Sequence, residues 1–225
     1  MNIKHVFFDL DHTLWDFDKN SKLTFQEIFE EQKIQLEINK FLKVYMPINL
    51  KYWRLFREDK ISKSDLRFNR LKEVFVALNY NASDDLIIKI SEDYIKYLPK
   101  YNYLFEGTIE VLGYLKDKYQ LHIITNGFEE VQKLKIKNSG IDTYFNEIIT
   151  SESLGSKKPN PEIFEFALMK AKAIPQNSIM IGDSYEADII GALNANMLAI
   201  HFSNEVKAQS GVLSIQSLLE LKQFL

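Results

Sequence analysis

Short, largely apolar runs at Gln120–Thr125, Glu147–Thr150, Ser178–Ile181 and Leu198–Phe202 alternate with stretches of helical periodicity, and a fifth strand with the turn that ends it, His5–Thr13, stands at the start of the chain. Runs this short and this apolar suit strands covered on both faces. Strands joined through helix-length connections pair in parallel, because a tight turn cannot return the chain to the same end of a sheet. The intervening helices are predicted over Gly107–Lys118, Glu129–Asn138, Pro161–Lys172 and Tyr185–Ala195. These elements define an α/β protein with a five-stranded parallel core sheet.

Between the first run and the alternating region the periodicity is helical throughout. Leu23, Phe25, Ile28 and Phe29 follow Ser21 as a candidate cap, and Phe41, Leu42 and Tyr45 form an apolar face that leads to a break at Pro47. Ser62 and Asp65 have the spacing of a capping box ahead of the stripe Leu71, Val74, Phe75 and Leu78. Ser83 opens another helix through Leu86, Ile87, Ile90 and Tyr94, which Pro99 stops. The predicted organisation is a core of residues 1–15 and 98–225 interrupted by an all-helical insertion, 16–97, joined by hinges near Asp16 and Leu98.

Composition narrows the function classes. With 28 basic against 31 acidic residues and a net charge of -3, the chain lacks the basic footprint of a nucleic-acid binder. It contains no cysteine, which removes disulfides, thiolate metal sites and thiol nucleophiles together. The first residues lack the pattern of a signal peptide and no run is long enough to span a membrane, so a soluble cytoplasmic protein without a membrane or nucleic-acid polymer partner is expected.

The chemistry-bearing residues lie where strands end. The first strand runs into Asp9 and Asp11, two carboxylates that repel unless a cation or a shared proton intervenes. The second ends in Thr125-Asn126-Gly127, a hydroxyl and a run of backbone N–H groups ahead of a helix, suited to phosphoryl oxygens. Lys157-Lys158-Pro159-Asn160-Pro161 holds cations against prolines, and the strand ending at Ile181 leads into Gly182-Asp183 and, five residues on, Asp188. Singly, each has an ordinary explanation: an Asp turn, a helix cap, solvated lysines, capping aspartates.

In this order, however, Asp9-x-Asp11-x-Thr13, Thr125, Lys158 and Gly182-Asp183-x-x-x-x-Asp188 resemble the haloacid dehalogenase superfamily, its phosphatases in particular. The resemblance implies a Rossmann-like core with a C1-type helical cap over residues 16–97, the type that closes over small soluble substrates. It also implies a role for each matched residue. By that resemblance Asp9 would be the nucleophile that forms an aspartyl-phosphate, and Asp11 would be the acid and base. Thr125, Asn126 and Lys158 bind the phosphate. Mg²⁺ would be held by Asp9, the backbone carbonyl of Asp11 and Asp183, with Asp188 supporting that set. Members that attack carbon, and P-type ATPases, lack the acid at the position of Asp11, so its presence points to phosphate esters; phosphomutases keep it.

The stretch from Trp53 to Leu71 resembles the branch of pyrimidine 5′-nucleotidases that hydrolyse non-standard pyrimidine monophosphates. Phe17, Trp53, Arg67, Phe68 and Arg70 are the candidates for contact with a base or ribose, and the same residues also suit a helical core or solvated face. His5, His122 and His201 read as structural. The expectation is a magnesium-dependent phosphomonoesterase for a small-molecule phosphate ester, with a nucleoside 5′-monophosphate first and a sugar phosphate, or a mutase reaction, second. A dehalogenase or a non-catalytic phosphometabolite binder stands further off, and the protein is expected to be a monomer or homodimer.

Overall fold

Every side chain of β1 (His5–Phe8) is buried, as a strand in the middle of a parallel sheet requires. The computed structural model describes residues 2–203 and 211–225. β1 pairs in parallel with β2 (Gln120–Thr125) on one side and with β4 (Ser178–Gly182) on the other. β3 (Glu147–Thr150) extends the first side, and β5 (Leu198–Phe202) and β6 (Leu213–Ile215) extend the second. Among the described residues the order is β3-β2-β1-β4-β5-β6, six strands rather than the five expected. The additional strand has only three residues and sits at the edge, where one ladder with β5 suffices to define it and no apolar run need announce it.

The chain divides into two compact units, one of residues 1–17 and 102–225 and the other of residues 18–101. In the first, Phe7, Ile124, Ile149 and Met180 present one face of the sheet to Ile163, Phe164, Ala167 and Leu168 of α8 (Pro161–Ala171) and Ala192 of α9 (Gly191–Asn194). The same unit includes α5 (Thr108–Lys116), α6 (Glu129–Asn138) and the single turn α7 (Ser151–Leu154). A π-type turn, Tyr185–Ile190, precedes α9 where one uninterrupted helix was expected.

The second unit is built on α1 (Phe17–Glu31), α2 (Ile38–Arg57), α3 (Lys63–Ala77) and α4 (Asp84–Tyr97). α1 begins at Phe17, so Ser21 is an interior residue rather than a cap, and its hydroxyl pairs with the Tyr94 hydroxyl at 2.9 Å. Pro47 does not end its helix. α2 runs through it for 20 residues because a proline removes one N–H bond, whereas Phe41, Tyr45, Asn49 and Phe56 keep the buried face continuous on both sides. The capping box of Ser62 and Asp65 and the Ser83 cap are both formed. Among the described residues no helix is long and apolar enough to cross a membrane.

Within the sheet His5 Nδ1 lies 3.2 Å from His122 Nε2, and His122 stacks on Phe7. His122 is fully buried, and burial first, then the neighbouring His5, pulls its pKa from 6.5 down to about 4. Between those values the unfolded chain takes up a proton that the folded protein refuses, so this residue's contribution is intact above pH 6.5 and is lost as pH falls toward 4. Urea unfolding at pH 7 and pH 5 should therefore show a smaller loss of stability for His122→Gln than for the wild type. An equal loss in both proteins would contradict this.

Candidate active site

The order of the sheet reverses between β1 and β4, and open parallel sheets form a crevice at the carboxyl ends of their strands at such a point. Asp9 stands there. Its N–H donates to the Ile181 carbonyl at 2.9 Å, which carries the ladder one residue beyond β1 and fixes the start of the side chain. The chain then turns sharply, with His12 in the left-handed region (φ 62°) and the Leu10 carbonyl accepting from the N–H groups of Leu14 and Trp15. Asp11 and Leu104 both bridge to Trp15, so the turn is tied back to the segment that leads into α5.

Lys158 is 2% exposed, and its ammonium sits 2.7 Å from Asp9 Oδ1, 2.6 Å from Asp188 Oδ1 and 2.7 Å from the Ile124 carbonyl. The loop that carries it is clasped by Asn126, whose side chain accepts from the Lys158 N–H at 2.8 Å and donates to the Lys158 carbonyl at 2.9 Å. The Lys158–Pro159 peptide is cis. Asn126, expected to act through its backbone N–H, thus also places the lysine. Thr125 Oγ1 accepts from the Gln132 amide at 2.7 Å and from the Gly127 N–H at 3.1 Å. With both acceptor positions taken, its O–H is the group that can donate to an anion.

Asp183 follows β4 and accepts from the Thr13 hydroxyl at 3.2 Å, while its main-chain carbonyl lies 2.8 Å from His201 Nε2. Asp188 returns over the end of β4 through the π-type turn and accepts from the Ser184 N–H at 3.0 Å. That return needs a glycine at 182, since a Cβ there would stand 2.3 Å from Asp188 Oδ2.

One oxygen each from Asp9, Asp183 and Asp188 lies within 4.8 Å of the others. Burial first, with Asp188 and Asp183 adding to it against the opposing pull of Lys158, raises the Asp9 carboxyl well above the usual range. Burial and then Asp188 push Asp183 to about 7. Burial alone would depress Lys158, but Asp188 and Asp9 together outweigh it and hold the ammonium above the ordinary lysine value. Three carboxylates face one ammonium, and their hard oxygen donors fit a divalent cation in number and charge.

The Asp11 carboxylate is engaged elsewhere. Lys135 donates to its Oδ1 at 2.7 Å and Gln132 to its Oδ2 at 2.9 Å, both from α6. Burial pulls the Lys135 ammonium below its usual range against the raising effect of Asp11. Sequence reasoning missed both residues. The signal lay in their spacing, because Gln132 and Lys135 share the buried stripe of α6 with Val131 and Ile136, where a lysine has no place without a partner.

A family model for haloacid dehalogenase-like hydrolases matches residues 6–202. A pyrimidine 5′-nucleotidase, PynA, of Streptococcus pneumoniae is 31% identical over 229 residues, covering 98% of this chain and 95% of that protein. A glyceraldehyde 3-phosphate phosphatase of Methanothermobacter thermautotrophicus is 34% identical over 209 residues, covering 91% and 87%. The crystal structure of the Bacillus subtilis hydrolase YfnB bound to magnesium superposes with a TM-score of 0.90 at 27% identity, covering 100% of this chain and 99% of that one.

Because the folded pKa of Asp183 lies above the 3.8 of the free side chain, its proton favours the folded state at acid pH, and that contribution is lost as pH rises through about 7. A divalent cation should replace it. Its addition should raise the melting temperature more at pH 8, where Asp183 is ionised and can bind, than at pH 5.5, where it holds a proton. Equal shifts at the two pH values would contradict a cation among these carboxylates.

Proposed function

Since the chain belongs to the haloacid dehalogenase-like hydrolases, we propose that it is a magnesium-dependent phosphomonoesterase acting through an aspartyl-phosphate on Asp9, with a pyrimidine nucleoside 5′-monophosphate as substrate. The observation that carries the reading is the placement of Asp9 at the switch point of the sheet, with one oxygen held by Lys158 and a second acid, Asp11, two residues on.

Lys158 leaves the other Asp9 oxygen for in-line attack on phosphorus. The Thr125 hydroxyl, the Asn126 N–H and the Lys158 ammonium hold the phosphoryl oxygens, and Lys158 reduces the repulsion between Asp9 and the incoming dianion. Asp11 gives a proton to the leaving alkoxide, then takes one from the water that attacks the aspartyl-phosphate and returns Asp9 as a carboxylate. An alkoxide needs that proton and a halide does not, which is why Asp11 favours ester hydrolysis over dehalogenation. Asp9, Asp183 and the Asp11 carbonyl, with Asp188 supporting them beside Lys158, would hold magnesium, which would supply charge neutralisation for the phosphoryl group. The magnesium-bound relative YfnB supports that choice of ion.

The helical unit, in this reading, is a C1-type cap that selects the leaving group. Of the five candidates, Phe17 is buried against His12 and Trp15, and Arg70 is buried with its guanidinium over Tyr45 and Tyr94 and bonded to Asn49. Trp53 packs edge-on against Phe56. Arg67 and Phe68 line a cavity of about 550 Å³ within the helical unit, with Ile88, Ser91 and Glu92 opposite. The pyrimidine 5′-nucleotidase relative supports a nucleotide, whereas the glyceraldehyde 3-phosphate phosphatase relative favours a second reading, a small sugar phosphate.

Base stacking contributes roughly 1–3 kcal/mol, which at about 1.36 kcal/mol per tenfold is about 5- to 150-fold in kcat/KM. Uridine and thymidine monophosphates should exceed glucose 6-phosphate and glyceraldehyde 3-phosphate by that margin, and Asp9→Asn should abolish turnover of all four. A reversed order selects the sugar-phosphate reading. Multiple turnover by the purified asparagine variant overturns the assignment of Asp9.

A further inference from the structure

Asp11 sits on a turn rather than on a strand, and its side chain is about a quarter exposed, so nothing in β1 itself fixes where its carboxylate points. The fixing comes from α6. Lys135 is 2% exposed, its ammonium lies 4.2 Å above the Trp15 ring and 5.4 Å from that of Phe17, and its one anionic partner among the described residues is Asp11 Oδ1. Gln132, 1% exposed, reaches Asp11 Oδ2 and Thr125 Oγ1 with the same amide nitrogen, and it is seated by Gly127, where a Cβ would stand 2.3 Å from that nitrogen. Two side chains three residues apart on one helix therefore hold both oxygens of Asp11, and one of them also ties Asp11 to the hydroxyl that ends β2.

We propose that Lys135 and Gln132 are positioning residues for the hydrolytic half of the reaction: they orient the Asp11 carboxylate to take the proton of the water that attacks the aspartyl-phosphate. This rests on the phosphatase reading above. Each carboxylate oxygen accepts one bond from α6 and keeps a second acceptor position, so the water can be held without breaking either tether. In that step the water oxygen bonds to phosphorus, the bond from phosphorus to the Asp9 oxygen breaks with its electron pair returning to Asp9, and the water proton passes to Asp11. Positioned general bases contribute on the order of 10²- to 10⁴-fold, and a base free to rotate loses part of that factor.

The step can be isolated with 2,4-dinitrophenyl phosphate, whose leaving group departs without a proton, so that formation of the aspartyl-phosphate does not call on Asp11. For Lys135→Met, kcat should fall at least tenfold while KM falls in parallel, leaving kcat/KM within about twofold of wild type; Gln132→Leu, which also releases the Thr125 hydroxyl, should lower kcat at least tenfold and lower kcat/KM by a smaller factor. Acid-quenched phosphoenzyme should rise toward one per active site, after a burst of aryloxide. Lys135→Arg, which keeps a buried cation with donors, should restore kcat to within severalfold. Gln132→Leu removes no charge, so the result does not depend on the folding of the Lys135 variants. Should kcat and kcat/KM fall together with no rise in phosphoenzyme, or both stay unchanged, the inference is overturned although the wild-type phosphatase stands. Should the wild type with magnesium release no aryloxide, the phosphatase reading falls and the inference with it.

Discussion

The carboxylates of Asp9, Asp183 and Asp188 crowd the end of a buried sheet, and Lys158 is the ammonium that makes the arrangement tolerable. Repulsion among buried like charges is large at these separations, and removing one partner of such a group typically costs about 3–5 kcal/mol. Much of the surrounding architecture serves to keep that ammonium in place: Asn126 clasps its backbone, the Ile124 carbonyl accepts one of its hydrogen bonds, and Gly182 leaves room for Asp188 to reach it. The same grip leaves the cluster short of positive charge. Burial first, and then the neighbouring carboxylates, raises Asp9 and Asp183, and the shortage of positive charge suits the site to a divalent cation and a phosphoryl group.

The sheet sets the distances. Because β1 lies between β2 and β4 in parallel register, the residues at or just past the carboxyl ends of all three strands emerge at one end, and Asp9, Thr125 and Asp183 are delivered there without any long-range instruction beyond strand order. This part was legible in the chain. An apolar run ending in a carboxylate, a hydroxyl or a Gly-Asp pair states both the strand and the group it delivers, and β2, β3, β5 and α6 have the bounds that periodicity predicts.

What escaped sequence reasoning depends on partners far away in the chain. Pro47 reads as a stop by local rules, but tertiary burial of the α2 face overrides the loss of one hydrogen bond. Ser21 has the chemistry of a cap and spends it on a Tyr94 hydroxyl. Lys135 and Gln132 look like solvated helix residues until β1 and its turn are laid beside α6, some 120 residues apart in sequence, and only then does their place on an apolar stripe acquire a reason. Arg67 and Phe68 share a cavity while Arg70 is sealed among tyrosines, a difference that spacing on one helix does not encode.

The central claim is that Asp9 is the group that accepts the phosphoryl moiety. The most direct measurement is to quench the enzyme in acid during turnover of a ³²P-labelled phosphate ester, reduce the acyl-phosphate with borohydride and map the modified position by mass spectrometry. The account predicts label on a single peptide and reduction of Asp9 alone. Label at any other residue, or steady turnover with no covalent label at any time, would contradict it.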